Sequence, residues 1–213
     1  MRSKEMSACA GDAKPRPLSR PGAGASVRVP QAAGRGLSEH GGCRRRVGTR
    51  GLAQRQDPRT RSSIVSQMIR VRGRLDVGDH AIIDDFCYFA ADVRLGRYAH
   101  IAHGVTVLGG GWSCTVGDFT AIGPGVRILC ASDDYDGGIA GPRIPAAFKR
   151  RPRCGDVRIG RHCVIGANSV ILPGTVIPDG VAVGALSLVG PKSRLQPYGL
   201  YAGSPARFPA ARH

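Results

Sequence analysis

A repeat of six residues constrains this chain more than any other feature. From Val71 an apolar side chain recurs at Val77, Ile83, Phe89, Leu95, Ile101 and Val107. A three-residue slip at 109–111 resets the phase, which resumes at Val116, Ile122 and Ile128. After an interruption from about 133 to 156 the pattern returns at Ile159, Ile165, Ile171, Ile177, Val183, Val189 and Leu195. Four residues after most of these stands a second, often smaller residue: Leu75, Ala81, Cys87, Val93, Ala99 and Val105, then Thr120 and Val126, then Cys163, Ser169, Thr175, Val181, Ser187 and Ser193. A period of six is neither the 3.6 of an α-helix nor the 2 of a plain strand. It is the period of a parallel β-helix, where each hexad is one short strand and a corner, and three hexads close a triangular coil. The apolar residue points into the prism and stacks on its counterpart 18 residues away, while the backbone bonds to the coils on either side. Seventeen hexads in three phased runs predict an all-β chain with one excursion loop.

Composition agrees where it bears on the point. The 31 Gly and 15 Pro suit many corners, and 5% aromatics leave a core of Val, Ile, Leu and small residues. The formal charge of +16 is uneven, because residues 1–67 hold fourteen of the 31 Lys+Arg and four of the 15 Asp+Glu. That segment has no hexads, and Arg44, Arg45 and Arg46 lie among its glycines. It reads as a basic, disordered extension with too little apolar surface to offset its ordering entropy, or as the product of a start placed upstream of Met68. The expected organisation is therefore extension 1–67, β-helix domain 68–208 and tail 209–213. Charge gathered in such a segment reads as a solvated tail, so no nucleic-acid partner is expected. No apolar run approaches the roughly 20 residues of a membrane helix, and the N-terminus has no signal-peptide pattern. The seven cysteines form no C-x-x-C pair and no zinc spacing. Cys87 and Cys163 fall at inner positions, as small hydrophobes. A reduced, cytoplasmic protein without a membrane partner is the expectation.

Three stretches carry a family likeness. Residues 100–111 (HIAHGVTVLGGG) resemble the strand and Gly-rich bulge of sugar acetyltransferases. Residues 131–136 (ASDDYD), opening a loop with Gly141, Pro142 and Pro145, resemble a subgroup of galactoside-type or surface-polysaccharide O-acetyltransferases. Residues 201–207 (YAGSPAR) are similar to a Gly-Asn-Pro-Ala-Lys/Arg terminus. The chain thus resembles the bacterial hexapeptide-repeat acyltransferases over about 70–208. The resemblance implies a left-handed β-helix, a homotrimer with sites in the clefts between prisms, and acetyl-CoA along the outer wall of the C-terminal coils. One departure stands out: the maltose- and galactoside-type enzymes carry a catalytic His where this chain has Asp133.

Candidate site residues follow from these placements. His100 and His103 lie off the inner positions and face outward; either is an ordinary surface histidine, a base or a group that binds the thioester. His100 is the better placed for the thioester that the likeness puts beside the bulge. Asp133 and Asp134 open the excursion and would hold the sugar or orient the imidazole. Gly166, Ala167, Gly184 and Ala185 would let the pantetheine arm lie on the backbone, although tight corners demand small residues in any case. Lys192, Arg194 and Arg207 would meet CoA phosphates. The function expected is transfer of an acetyl group from acetyl-CoA to a sugar hydroxyl or amine, by a neutral His and a backbone oxyanion donor, without a metal. A zinc enzyme of the carbonic anhydrase type, with three His ligands, and a non-enzymatic scaffold are the alternatives.

Overall fold

The computed structural model describes the backbone of 26–27 and 55–56 and residues 63–109, 111–133 and 153–211, with side chains from Ser63 to Phe208. The hexads fold as their period requires, into the stacked coils of a parallel β-helix with three faces. The first face carries Leu75–Val77, Asp92–Leu95, Ser113–Val116, Val157–Ile159 and Val176–Ile177. The second carries Ile64–Val65, Ile82–Ile83, His100–Ile101, Ala121–Ile122, Val164–Ile165, Ala182–Val183 and Gly199–Ala202. The third carries Arg70–Val71, Tyr88–Phe89, Thr106–Leu108, Arg127–Leu129, Val170–Ile171 and Leu188–Val189.

Every hexad residue from Val77 to Val189 is buried, and each stacks on its counterpart one coil away. On the second face the register runs Ile83, Ile101, Ile122, Ile165, Val183, Tyr201. Val71 and Leu195, at the ends, are only partly buried. The smaller inner residues fill the corners. Where they are polar they bond the backbone, as Thr120 Oγ1 does by donating to Gly160 O at 2.7 Å and Ser187 Oγ by donating to Gly184 O at 2.7 Å.

Both interruptions open at the corner between the third and first faces. The slip at 109–111 is a bulge in which Gly109 has φ +128°, and a Cβ there would stand 2.5 Å from Ala131 N. That close approach makes room for the stem of the excursion, Ala131–Ser132 paired antiparallel with Arg153–Cys154. Ser113 closes the stem, its N–H and Oγ both donating to Asp156 Oδ1 at 2.9 Å.

The boundary at 68 moves. Ile64–Val65 pairs in parallel with Ile82–Ile83, so the β-helix begins earlier. Val65 lies six residues before Val71 and is one more hexad, and Ser63 fills the small inner position. The other end runs past 208, because Arg207–Ala211 folds back antiparallel on Gly199–Ala202. Ser26–Val27 and Arg55–Gln56 add short antiparallel strands to the first and second faces. The rest of 1–62, Asp134 with the excursion to residue 152, and residues 212–213 lie outside the described residues.

Candidate active site

Outward positions on the second face are Ile64, Ile82, His100, Ala121, Val164, Ala182 and Leu200. His100 is the one polar side chain in that row. Its Nε2 lies 3.0 Å from Asp84 Oδ2, and both side chains are close to half exposed. Asp84 directly follows the strand Ile82–Ile83, one coil nearer the N-terminus. A carboxylate can only accept, so Nε2 carries the hydrogen, and in the neutral ring that leaves Nδ1 as the acceptor. A neutral imidazole fixed in this way can take a proton from a hydroxyl or amine. Within this chain the carboxylate beside the ring is Asp84, which coil stacking places there.

His103, on the adjoining corner, is exposed. Beside it Asp85 accepts a hydrogen bond from Ser66 Oγ. His80 and His162 sit on the corner between the first and second faces. There they sandwich Tyr98 and Phe119 in a parallel stack with centroids 4.6, 5.0 and 5.1 Å apart. Neither histidine faces His100.

Beyond His100 the backbone forms a smooth strip along the corner between the second and third faces. Asp84, Ala102, Gly123, Gly166, Gly184 and Ala202 occupy successive coils of one column. Coil stacking itself requires glycine at Gly166, where a Cβ would stand 2.4 Å from Ala185 N. Gly184 is less confined, with Ala202 Cβ at 3.1 Å from such an atom. Ala167 and Ala185 line the next column. Arg207 pairs with Ala202 and so stands at the C-terminal end of the strip. Lys192 is exposed on the last coil, beyond Leu188–Val189, across the third face from Arg207.

Asp133 follows Ser132 at the opposite edge of the third face, beside the glycine bulge. A face of five or six residues is roughly 15–20 Å wide at ~3.3 Å per residue. One chain therefore does not bring Asp133 to His100. The bulge expected beside His100 belongs to the far corner, because residues 104–108 carry the chain across the third face first. Asp134 lies outside the described residues.

Burial pushes the thiols of Cys87 and Cys130 up to about 11 and raises those of Cys114 and Cys163. These cysteines are protonated core residues, with no nucleophilic role near neutral pH. Among the described residues no three His, Cys, Asp or Glu side chains converge as a metal site would need, and no helix is long and apolar enough to cross a membrane.

Comparison with known proteins matches two repeat families. Residues 76–109 fit the bacterial transferase hexapeptide (six repeats), and residues 156–185 fit the hexapeptide repeat of succinyl-transferase. The chain is 32% identical over 137 residues to a dTDP-4-amino-4,6-dideoxy-D-glucose acyltransferase of Escherichia coli, a match spanning 62% of this chain and 69% of that protein. It is 31% identical over 138 residues to WbbJ, a putative lipopolysaccharide biosynthesis O-acetyl transferase of Escherichia coli (strain K12), over 63% of each. Among solved structures it resembles AntD, an N-acyltransferase from Bacillus cereus in complex with dTDP and 3-hydroxybutyryl-CoA. The TM-score is 0.66 and the identity 35%, over 71% of this chain and 80% of that one.

Proposed function

We propose, from the premise that this chain belongs to the bacterial hexapeptide-repeat acyltransferases, that it moves an acetyl or related acyl group from CoA to a hydroxyl or amine of a sugar, with His100 as the base. The observation that carries the assignment is the His100–Asp84 pair, standing alone on an otherwise apolar row. The acceptor's O–H or N–H donates to Nδ1 of His100. As its oxygen or nitrogen attacks the thioester carbonyl, the proton passes to the ring, and the imidazolium is stabilised by Asp84. A backbone N–H holds the oxyanion, and the proton then leaves with the CoA thiolate as the thiol. No covalent enzyme intermediate is needed.

CoA would lie along the strip of Gly166, Ala167, Gly184 and Ala185, with its phosphates toward Arg207. The family's homotrimer supplies what one chain lacks. A neighbouring prism that sets its third-to-first corner against the His100 corner would bring the partner's bulge and Asp133 to the acceptor. Lys192 of the same corner would then join Arg207 from the other side. Localisation in the cytoplasm follows from a CoA-linked donor. The carbonic anhydrase alternative lacks three convergent ligands among the described residues.

Thermal denaturation with acetyl-CoA tests the reading. A ligand of the folded state at 100 times its Kd adds about 2.7 kcal/mol. A rise of several degrees is expected, and an unchanged melting temperature at millimolar acetyl-CoA would remove CoA as the donor.

A further inference from the structure

We propose that the acceptor's sugar ring stacks against Phe86, in a slot that Gly104 leaves open beside the His100–Asp84 pair, so that Phe86 decides which ring the enzyme accepts. The word acceptor rests on the acyl-transfer reading, while the slot rests on a comparison of two corners of the prism. At both corners the fourth residue of the hexad turns with positive φ. Its backbone bonds in the same way at each: Tyr98 N–H donates to Asp79 O, and Gly104 N–H donates to Asp85 O.

The two corners fill this position differently. Between the first and second faces it holds His80, Tyr98, Phe119 and His162, one per coil, with rings stacked 4.6, 5.0 and 5.1 Å apart and within 9° of parallel. Between the second and third faces it holds Phe86, Gly104, Gly125 and Asn168. Phe86 is 63% exposed, and its ring stacks on no other ring among the described residues. Coil packing does not demand the glycine at Gly104, since a Cβ there would meet nothing nearer than 3.9 Å. Nor does the turn demand it, because Phe86 and Asn168 adopt φ of 61° and 55° in the same column. One coil further on, a Cβ at Gly125 would strike the side-chain amide of Asn168, which therefore already covers Gly125. The result is a stack with one rung missing, bounded by the Phe86 ring on one side and the Asn168 amide on the other.

The filled corner shows what suits such a gap: a flat ring at the ~4.8 Å spacing of the coils. An aromatic face carries negative potential, which attracts the C–H face of a pyranose. Polar groups stand around the gap for the hydroxyls. His103 directly precedes Gly104, and Arg127 is held at the far edge by Nη1–H donating to Gly125 O at 2.7 Å. One aromatic surface with a few polar groups at its rim suits a sugar ring better than an alkyl chain. Asp84, which holds His100, stands two residues before Phe86, at most ~7 Å along the chain. A hydroxyl or amine at the edge of a ring in the slot can therefore reach the base around the corner.

Thiol release from acetyl-CoA, with methyl hexopyranosides and their amino analogues as acceptors, tests the slot. Gly104→Tyr installs the missing rung. It should raise KM for the pyranoside at least tenfold and leave KM for acetyl-CoA unchanged. Phe86→Ala should raise the same KM about tenfold, and Phe86→Tyr should restore most of it; these two variants carry the test whether or not Gly104→Tyr folds. Phe119→Ala, in the filled stack, should leave both KM values as they are. An unchanged pyranoside KM in Phe86→Ala would overturn the proposal, as would an equal rise in Phe119→Ala. A fall in assembly mass with Phe86→Ala would make the ring a contact between copies and overturn it too. So would a parent protein that binds acetyl-CoA but acetylates none of these pyranosides. Failure of the acyl-transfer reading shows separately, as acetyl-CoA that does not bind the parent protein at all.

Discussion

Replacing Gly166 with alanine separates coil geometry from ligand binding on the donor strip. The added Cβ would stand 2.4 Å from Ala185 N, 2.6 Å from Gly184 C and 2.8 Å from Ala185 Cα. Carbon contacts settle at about 3.5–4.0 Å, and all three opposing atoms are backbone. They cannot withdraw without stretching the bond in which Gly166 N donates to Val183 O at 2.7 Å. Overpacking costs roughly 1–3 kcal/mol, and a weakened ladder bond adds about 1 kcal/mol. At ~2–4 °C per kcal/mol for a domain of this size, Tm should fall by roughly 4–16 °C. Gly184→Ala in the same column meets only Ala202 Cβ at 3.1 Å, and its fall should be much smaller. Differential scanning fluorimetry without CoA reads both. If Gly166→Ala melts like the parent while the KM for acetyl-CoA rises, the glycine serves the ligand and the packing argument fails.

Ile165→Asp would place a carboxylate between Ile122 and Val183 in a position 1% exposed. A loss of several kcal/mol is expected, and a soluble variant with a normal melting curve would contradict the stacking register. A chain starting at Ser63 should melt within a few degrees of the full chain. One starting at Met68 should melt clearly lower, because it loses the strand Ile64–Val65 and the Ser66–Asp85 bond; equal melting of the two would put the first coil elsewhere. Burial raises the Cys87 and Cys130 thiols from 9.0 to about 11. The folded state therefore holds these protons longer than the unfolded chain, and stability present below pH 9 should decline between pH 9 and 11. A Tm unchanged across that window would argue that the thiols are not buried.

The hexad count shows how far the amino-acid sequence reaches and where it stops. It places every apolar hexad residue from Val77 to Val189, because their burial follows from the period, but it leaves out Cys114, Cys130 and Val157, which are buried beside the two interruptions. Val65 escapes notice because it is a single hexad ahead of the run, next to a basic segment. The Asp84–His100 contact is hard to see because it joins residues 16 apart, two short of a full coil, and depends on how side chains lean across the stack. The separation of Asp133 from His100 is implicit in counting hexads in threes. The count holds only once both slips are known to open at the same corner, which depends on Gly109 admitting Ala131 at close range. For Gly166 composition is silent, since a tight corner and a ligand channel ask for the same residue.

Steady-state kinetics of His100→Asn tests the central claim most directly. The variant keeps the size and polarity of the side chain but cannot accept the acceptor's proton at neutral pH. With acetyl-CoA and a sugar acceptor that the parent protein acylates, kcat should fall about 10²–10⁴-fold, while acetyl-CoA raises the melting temperature as much as it does for the parent. A variant that keeps its kcat, or whose only defect is a higher KM for acetyl-CoA, would make His100 a donor contact and move the base to His103 or to Asp133 of a neighbouring prism.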